Sequence, residues 1–268
     1  MDLGFSMFMQ SDRIEVKTSG CSGTIILNRP SHQNALTRQM IEQLGEALED
    51  LYREKSVRAI ILTGAGNTYC AGVELEELSG DETLSAEPRW GEDAAKFRDL
   101  LLQMLQMTKP LIAAVNGAAL SGGAGLVAAC DIVVASEDAS IGLPDPCYGL
   151  VAGVVVPLIC HRIGAGHATR LLLTSTTLDA IEAHRLGLFH ELVKPDLVWA
   201  RAAEVAKQCA AGSPEAIQLT KRLLHEAVGE HLETQLAAGA VMRATSCTTE
   251  AAKEGIAAFL KQQRGDGE

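Results

Sequence analysis

Along the first half of the chain, short β-rich runs alternate with helical patterns. Residues 24–27, Thr-Ile-Ile-Leu, form a strand-like run ended by Asn28-Arg29-Pro30, because proline cannot donate to a sheet ladder. Thr37 stands as an N-cap, with Met40, Ile41, Leu44, Leu48 and Leu51 following at helical spacing; this predicts an amphipathic helix over 37–53. A second buried strand is predicted over 57–63, closed by Gly64-Ala65-Gly66-Asn67. Residues 79–93 are polar and acidic and carry Pro88, which predicts a surface loop of the kind that often serves as a lid. A helix over 97–106 ends before Pro110, and a third strand is predicted over 111–115. A glycine-dense turn over 117–125, a small-residue helix and a fourth strand over 131–135 complete this half.

After Pro195 the pattern is helical almost throughout 196–263, broken at Gly212-Ser213-Pro214, where Pro214 suits a first helical turn. The layout is an α/β core over 1–195, followed by a helical C-terminal region over 196–268.

Composition narrows the picture. In 268 residues, 47% are hydrophobic and 21% charged, enough for a globular chain with a sizeable core. Aromatics are only 4%, which argues against base-stacking platforms. With 23 basic against 34 acidic residues the net charge is -11, a field that repels phosphate backbones. No nucleic-acid partner is expected, and any polyanionic ligand must meet a local basic cluster or backbone N–H donors. Cys21, Cys70, Cys130, Cys147, Cys160, Cys209 and Cys247 form no CxxC pair or metal spacing, as in reduced thiols of a cytoplasmic protein. No apolar run reaches transmembrane length and no signal-peptide pattern opens the chain, so no membrane partner is expected. The histidines show no metal-binding spacing.

Two turns share one character. Tyr69-Cys70-Ala71-Gly72-Val73 places small residues before an acidic helix start, and Leu120-Ser121-Gly122-Gly123-Ala124-Gly125 feeds a helix through three glycines. Such turns point free N–H groups outward, and two of them converging form an oxyanion hole. Close helix–strand packing explains the glycines equally well. The string 123–128 also fits G-x-G-x-x-A, but Glu137 and Asp138 fall 14 or 15 positions on, short of the roughly 20 that a dinucleotide site requires. Ser121 lacks the G-x-S-x-G elbow of a serine nucleophile and reads as merely small. Asp145 lies in the apolar, proline-bracketed segment Ile141-Gly142-Leu143-Pro144-Asp145-Pro146. Apolar surroundings suit a carboxylate to proton transfer near neutral pH, although Asp before Pro is also a common turn.

Read in order, several segments resemble the enoyl-CoA hydratase/isomerase (crotonase) superfamily, over about 14–260. They are Arg29-Pro30, Asn34-Ala35-Leu36 and Met40, the run 57–64, Cys70-Ala71-Gly72-Val73-Glu74-Leu75, Lys109-Pro110 through Gly125, Cys130-Asp131-Ile132 and the run 254–260. The resemblance implies a ββα superhelix with a helical C-terminal trimerisation region, and a homotrimer or a dimer of trimers. It implies an acyl-CoA or acyl-carrier thioester as substrate and no separate cofactor, coenzyme A being part of the substrate. By position, the N–H groups of Val73 and Gly122 form the oxyanion hole and Asp145 is the acid/base. Ala71, Gly72, Gly123 and Gly125 lie along the substrate, and Phe259 and Lys261 meet CoA from the C-terminal helix.

The chain departs from hydratases that carry two glutamates: the first position is Gly125, and the second is Asp145. Residues 121–164 resemble single-carboxylate dehydratases of polyketide β-branching. Val154-Val155-Val156 stands where many hydratases have Gly-Gly-Thr, which implies a drier pocket. The reading is hydration or dehydration of an enoyl thioester through an enolate, with double-bond isomerisation and a catalytically weak binding protein as alternatives.

Overall fold

Continuous aliphatic runs build the centre of the molecule. The computed structural model describes residues 6–10, 13–79, 86–229 and 231–265. Its strands are β1 (Ser6–Gln10), β2 (Ile14–Ser19), β3 (Ser22–Leu27), β4 (Ala59–Gly64), β5 (Thr68–Cys70), β6 (Leu111–Val115), β7 (Ala118–Leu120), β8 (Ile132–Ser136), β9 (Ser140–Gly142), β10 (Thr177–Asp179) and β11 (Glu191–Val193). The helices are α1 (Arg38–Arg53), α2 (Leu75–Ser79), α3 (Ala86–Gln106), α4 (Gly122–Ala129), α5 (Val156–Thr174), α6 (Ala180–Leu186), α7 (Val198–Ala210), α8 (Pro214–Gly229), α9 (Leu232–Cys247) and α10 (Glu250–Gly265).

One sheet has the order β1-β2-β3-β4-β6-β8-β11 and the other β10-β9-β7-β5. From β3 to β11 the first sheet is parallel. A parallel sheet is covered on both faces, which is why Ile60, Ile61, Ile112, Ala113, Val133 and Val134 are all buried. Each of β4, β6 and β8 runs into a short strand of the second sheet before the chain turns helical, giving repeated ββα units.

The helix predicted over 37–53 is α1, and the Thr37 hydroxyl accepts from Met40 N–H at 3.2 Å. One predicted loop is corrected: within 79–93, α3 begins at Ala86. Pro88 falls in that helix's first turn, where a missing N–H costs nothing. Residues 80–85 lie outside the described residues.

After Pro195, α7 lays Val198, Ala202, Val205 and Ala206 on Ala59, Ile61, Ile112, Ala114 and Val134, closing one face of the first sheet. Two of the later helices meet the core at the site: α9 packs on α3 and α5, and α10 on α2 and residues 145–148. No helix among the described residues is long and apolar enough to cross a membrane.

Candidate active site

The first wall of the site is built from the Arg29–Leu36 segment. Asn34 is fully buried; its Oδ1 accepts from Arg29 N–H (2.9 Å), while Nδ2 donates to the Ala65 (2.9 Å) and Thr68 (2.7 Å) carbonyls. Arg29 donates to Ala35 O (2.7 Å) and pairs with Glu74 (3.0 Å). Leu36 then pairs in parallel with the turn at 72–74: its N–H donates to Gly72 O (2.7 Å) and its carbonyl accepts from Glu74 N–H (2.9 Å). In that pattern the N–H of the residue between points away from Leu36, so the Val73 amide is left unspent. Asn34→Ala removes three hydrogen bonds of a buried side chain and is expected to cost about 2–4 kcal/mol. Urea unfolding measures it; an unchanged midpoint contradicts this account of the motif.

The second wall is the start of α4. Gly122 is its first residue, so its N–H has no acceptor one turn back. Neither Val73 N–H nor Gly122 N–H donates to another described residue. A Cβ on Gly122 would lie 3.3 Å from Val73 Cγ2, so the two amides belong to adjoining residues. Gly72 (φ +106°) is required between them, since a Cβ there would meet Ser121 Cβ at 2.7 Å.

Asp145 closes the site from the 3₁₀ turn Asp145–Tyr148. Only 3% exposed, it accepts at Oδ1 from Ser121 Oγ (2.8 Å) and from Arg243 Nη1 (3.0 Å). Its Oδ2 is buried and has no hydrogen-bond partner among the described residues. Arg243, whose side chain is 12% exposed, forms the ion pair from α9 and also donates to Val151 O (3.3 Å). Gly239, one helical turn earlier, packs backbone to backbone against Gly153, and this sets Arg243 over Asp145.

These groups line a single cleft. Its remaining walls are mostly apolar, with Leu36, Ile41, Trp90, Phe97, Val154 and Val155 contributing. Arg38 and Asp93 sit at one side, joined by a double hydrogen bond of 2.6 and 2.7 Å. Asp93 therefore contributes to the cleft a carboxylate that is already engaged. Cys247 also lines it, but burial pushes its thiol pKa up, away from nucleophilic use.

Val73, Gly122 and Asp145, separated in sequence, share this one cleft. Gly123 packs α4 against Cys70, whose carbonyl and Cβ occupy the space a side chain would need. A Cβ on buried Gly125 would lie 2.9 Å from Val155 Cγ2 and 3.5 Å from Phe97 Cζ. Ala71 spends its N–H on Gln33 O (3.0 Å), leaving its carbonyl as its remaining polar group. Phe259 is half-buried, edge-on to Tyr148 at 5.1 Å, and Lys261 is exposed; both lie outside the cleft lining.

Tyr69 does not stand in for a carboxylate at 125: it is fully buried, its hydroxyl has no hydrogen-bond partner among the described residues, and it is absent from the cleft lining. Two contributors escaped sequence reasoning. Ser121 reads as a small turn residue, yet its hydroxyl holds Asp145. Arg243 lies 98 positions away in a helical region without a local motif; only the small residues Gly153 and Gly239, which let α9 approach, bear on its placement. Among the described residues no group of three or more potential metal ligands occurs.

The pattern of the family described as Enoyl-CoA hydratase/isomerase matches residues 19–266. A protein of Thermus thermophilus with an enoyl-CoA hydratase name is 36% identical over 244 residues, covering 91% of this chain and 96% of that one. The 1,2-epoxyphenylacetyl-CoA isomerase of Escherichia coli is 31% identical over 242 residues, covering 90% and 92%. The crystal structure of an enoyl-CoA hydratase/isomerase from Xanthobacter autotrophicus superposes with a TM-score of 0.85 at 28% identity, covering 95% and 94%. Sequence match and shared architecture make this chain a member of the enoyl-CoA hydratase/isomerase family, an enzyme of the lyase or isomerase type.

Proposed function

We propose that the protein adds water to an enoyl-CoA, or removes it in reverse, through an enolate held by Val73 and Gly122, with Asp145 as the single acid/base. The observation that carries this reading is the free Oδ2 of buried Asp145 in the same cleft as two unspent backbone amides. In the forward direction Asp145 Oδ2 takes a proton from water as the water oxygen bonds to the β-carbon. The electron pair of the double bond moves to the thioester oxygen, where the two N–H groups receive it. Asp145 then returns its proton to the α-carbon. An oxyanion-hole donor is commonly worth about 10²–10³ in rate, so two fixed donors do much of the work.

A second reading has its own support. The atoms nearest a side chain at 125 belong to Phe97 and Val155, and the other carboxylates in the cleft lining are engaged elsewhere, Glu74 by Arg29, Glu77 by the Arg38 N–H and Asp93 by the Arg38 guanidinium. There Asp145 would carry a proton from the α- to the γ-carbon and so move the double bond. Crotonyl-CoA and a 3-enoyl-CoA in doubly labelled water (¹⁸O and deuterium) separate the two. Oxygen at the β-carbon is the expected result; deuterium at α or γ alone shifts the assignment to isomerisation, and neither label overturns both.

Self-association into a trimer or a dimer of trimers belongs to this reading, as does residence in the cytoplasm. Leu219 and Leu223, one turn apart on α8, are 60% and 66% exposed, an apolar stripe suited to a second copy of the chain.

A further inference from the structure

We infer that Ser121 and Arg243 are positioning residues that divide the two oxygens of Asp145: Oδ1 is held, and Oδ2 is left to move the proton. The inference rests on the reading of Asp145 as acid/base. Both donors converge on Oδ1, at 2.8 and 3.0 Å, while Oδ2 has none among the described residues. A carboxylate free to rotate would present either oxygen; one gripped twice at a single oxygen presents the other.

Arg243 adds a role in charge balance. A buried carboxylate without its counter-charge is costly, and the guanidinium removes that cost before reaction. When Oδ2 accepts the α-proton, Asp145 becomes neutral and the negative charge passes to the thioester oxygen. Arg243 then shares the cleft with an enolate in place of a carboxylate. The number of charges in the cleft stays the same through the step, so the apolar side chains of Phe97 and Val155 meet no additional ion.

Ser121 couples the base to the oxyanion amide. Its backbone is at φ +49°, ψ −117°, a conformation that costs a side-chain-bearing residue energy and persists only when its surroundings impose it. Those surroundings are Gly142, whose carbonyl accepts Ser121 N–H at 2.9 Å, and Gly72, which leaves room for Ser121 Cβ. The peptide that follows carries Gly122 N–H, and the side chain carries the hydroxyl on Asp145. One residue thus sets the direction of both catalytic halves.

The test uses butyryl-CoA in deuterium oxide. This saturated thioester has no double bond to hydrate, so α-proton exchange reads proton transfer alone. Ser121→Ala is expected to slow the exchange kcat about 10-fold and Arg243→Ala about 10- to 100-fold, with KM little changed. Added guanidinium chloride, at concentrations below those that unfold the protein, restores part of the Arg243→Ala rate and none of the Asp145→Asn rate. Arg243→Lys, which keeps the charge, lies between Arg243→Ala and the wild type. A purely structural role would move KM and the melting temperature without guanidinium rescue. If Arg243→Ala does not fold, Ser121→Ala and Arg243→Lys carry the test. Wild-type exchange in Ser121→Ala and in the folded Arg243 variants, beside an inactive Asp145→Asn, overturns the inference and leaves Asp145 standing. Wild-type exchange in Asp145→Asn overturns the reading of Asp145 itself.

Discussion

Replacing Asp145 by Asn is expected to reduce turnover of crotonyl-CoA by about 10²–10⁴, the usual worth of a positioned acid/base group. The substitution is close to isosteric. The Asn carbonyl oxygen still accepts from Ser121 and Arg243, so the cleft keeps its shape, but the amide nitrogen at the Oδ2 position cannot take a proton. A second, separable effect accompanies the first. Arg243, largely buried, loses its counter-charge, and breaking a buried pair costs about 3–5 kcal/mol. Stability and rate are therefore measured on the same preparation, with turnover expressed per folded molecule. A variant that unfolds more readily yet turns over at the wild-type rate would show that the Asp145–Arg243 pair is structural, and would remove Asp145 from the mechanism.

What the amino-acid sequence conveys about this protein follows the length of the signal. The strands predicted over 24–27, 57–63, 111–115 and 131–135 correspond to β3, β4, β6 and β8, because strands buried on both faces read as apolar runs. The second sheet is nearly invisible: β5, β7, β9 and β10 are three residues each, too short to show a period. The acidic stretch after Ser79 looks like a loop because α3 opens on polar residues and places Pro88 where proline is tolerated.

The site follows the same logic. In the proposed mechanism Val73 and Gly122 act through backbone amides, so what the sequence records is the small residues around them, Gly72 and the glycines of α4. Asp145 stands out through its apolar, proline-bracketed segment; the structure buries it to 3% exposure but gives its carboxylate the Ser121 hydroxyl and the Arg243 guanidinium as polar partners. Arg243 is beyond local reasoning, because its position depends on how α9 crosses Gly153.

Restoring a second carboxylate at position 125 is expected to fail alone and to succeed in company. In Gly125→Glu the new Cβ would sit 2.9 Å from Val155 Cγ2 on a fully buried face of α4. Overpacking of this kind costs about 1–3 kcal/mol, and an unpaired carboxylate buried beside Phe97 adds to that, so the single variant should lose about 3 kcal/mol or more. Val155→Gly removes the atom in the way. Val155 lines the cleft, so the space it vacates is continuous with the substrate site, and the introduced carboxylate gains access to water there. The double variant Gly125→Glu/Val155→Gly is expected to recover much of the lost stability and to raise hydration relative to α-proton exchange by about 10²-fold, the lower end of what a second acid/base group contributes. The measurement is the ratio of ¹⁸O addition to crotonyl-CoA over deuterium exchange into butyryl-CoA, beside urea unfolding of each variant. A stable, active single variant would show that Val155 and Phe97 do not exclude a side chain at 125. An unchanged ratio in a folded double variant would show that one carboxylate, Asp145, already does all that water addition requires in this cleft.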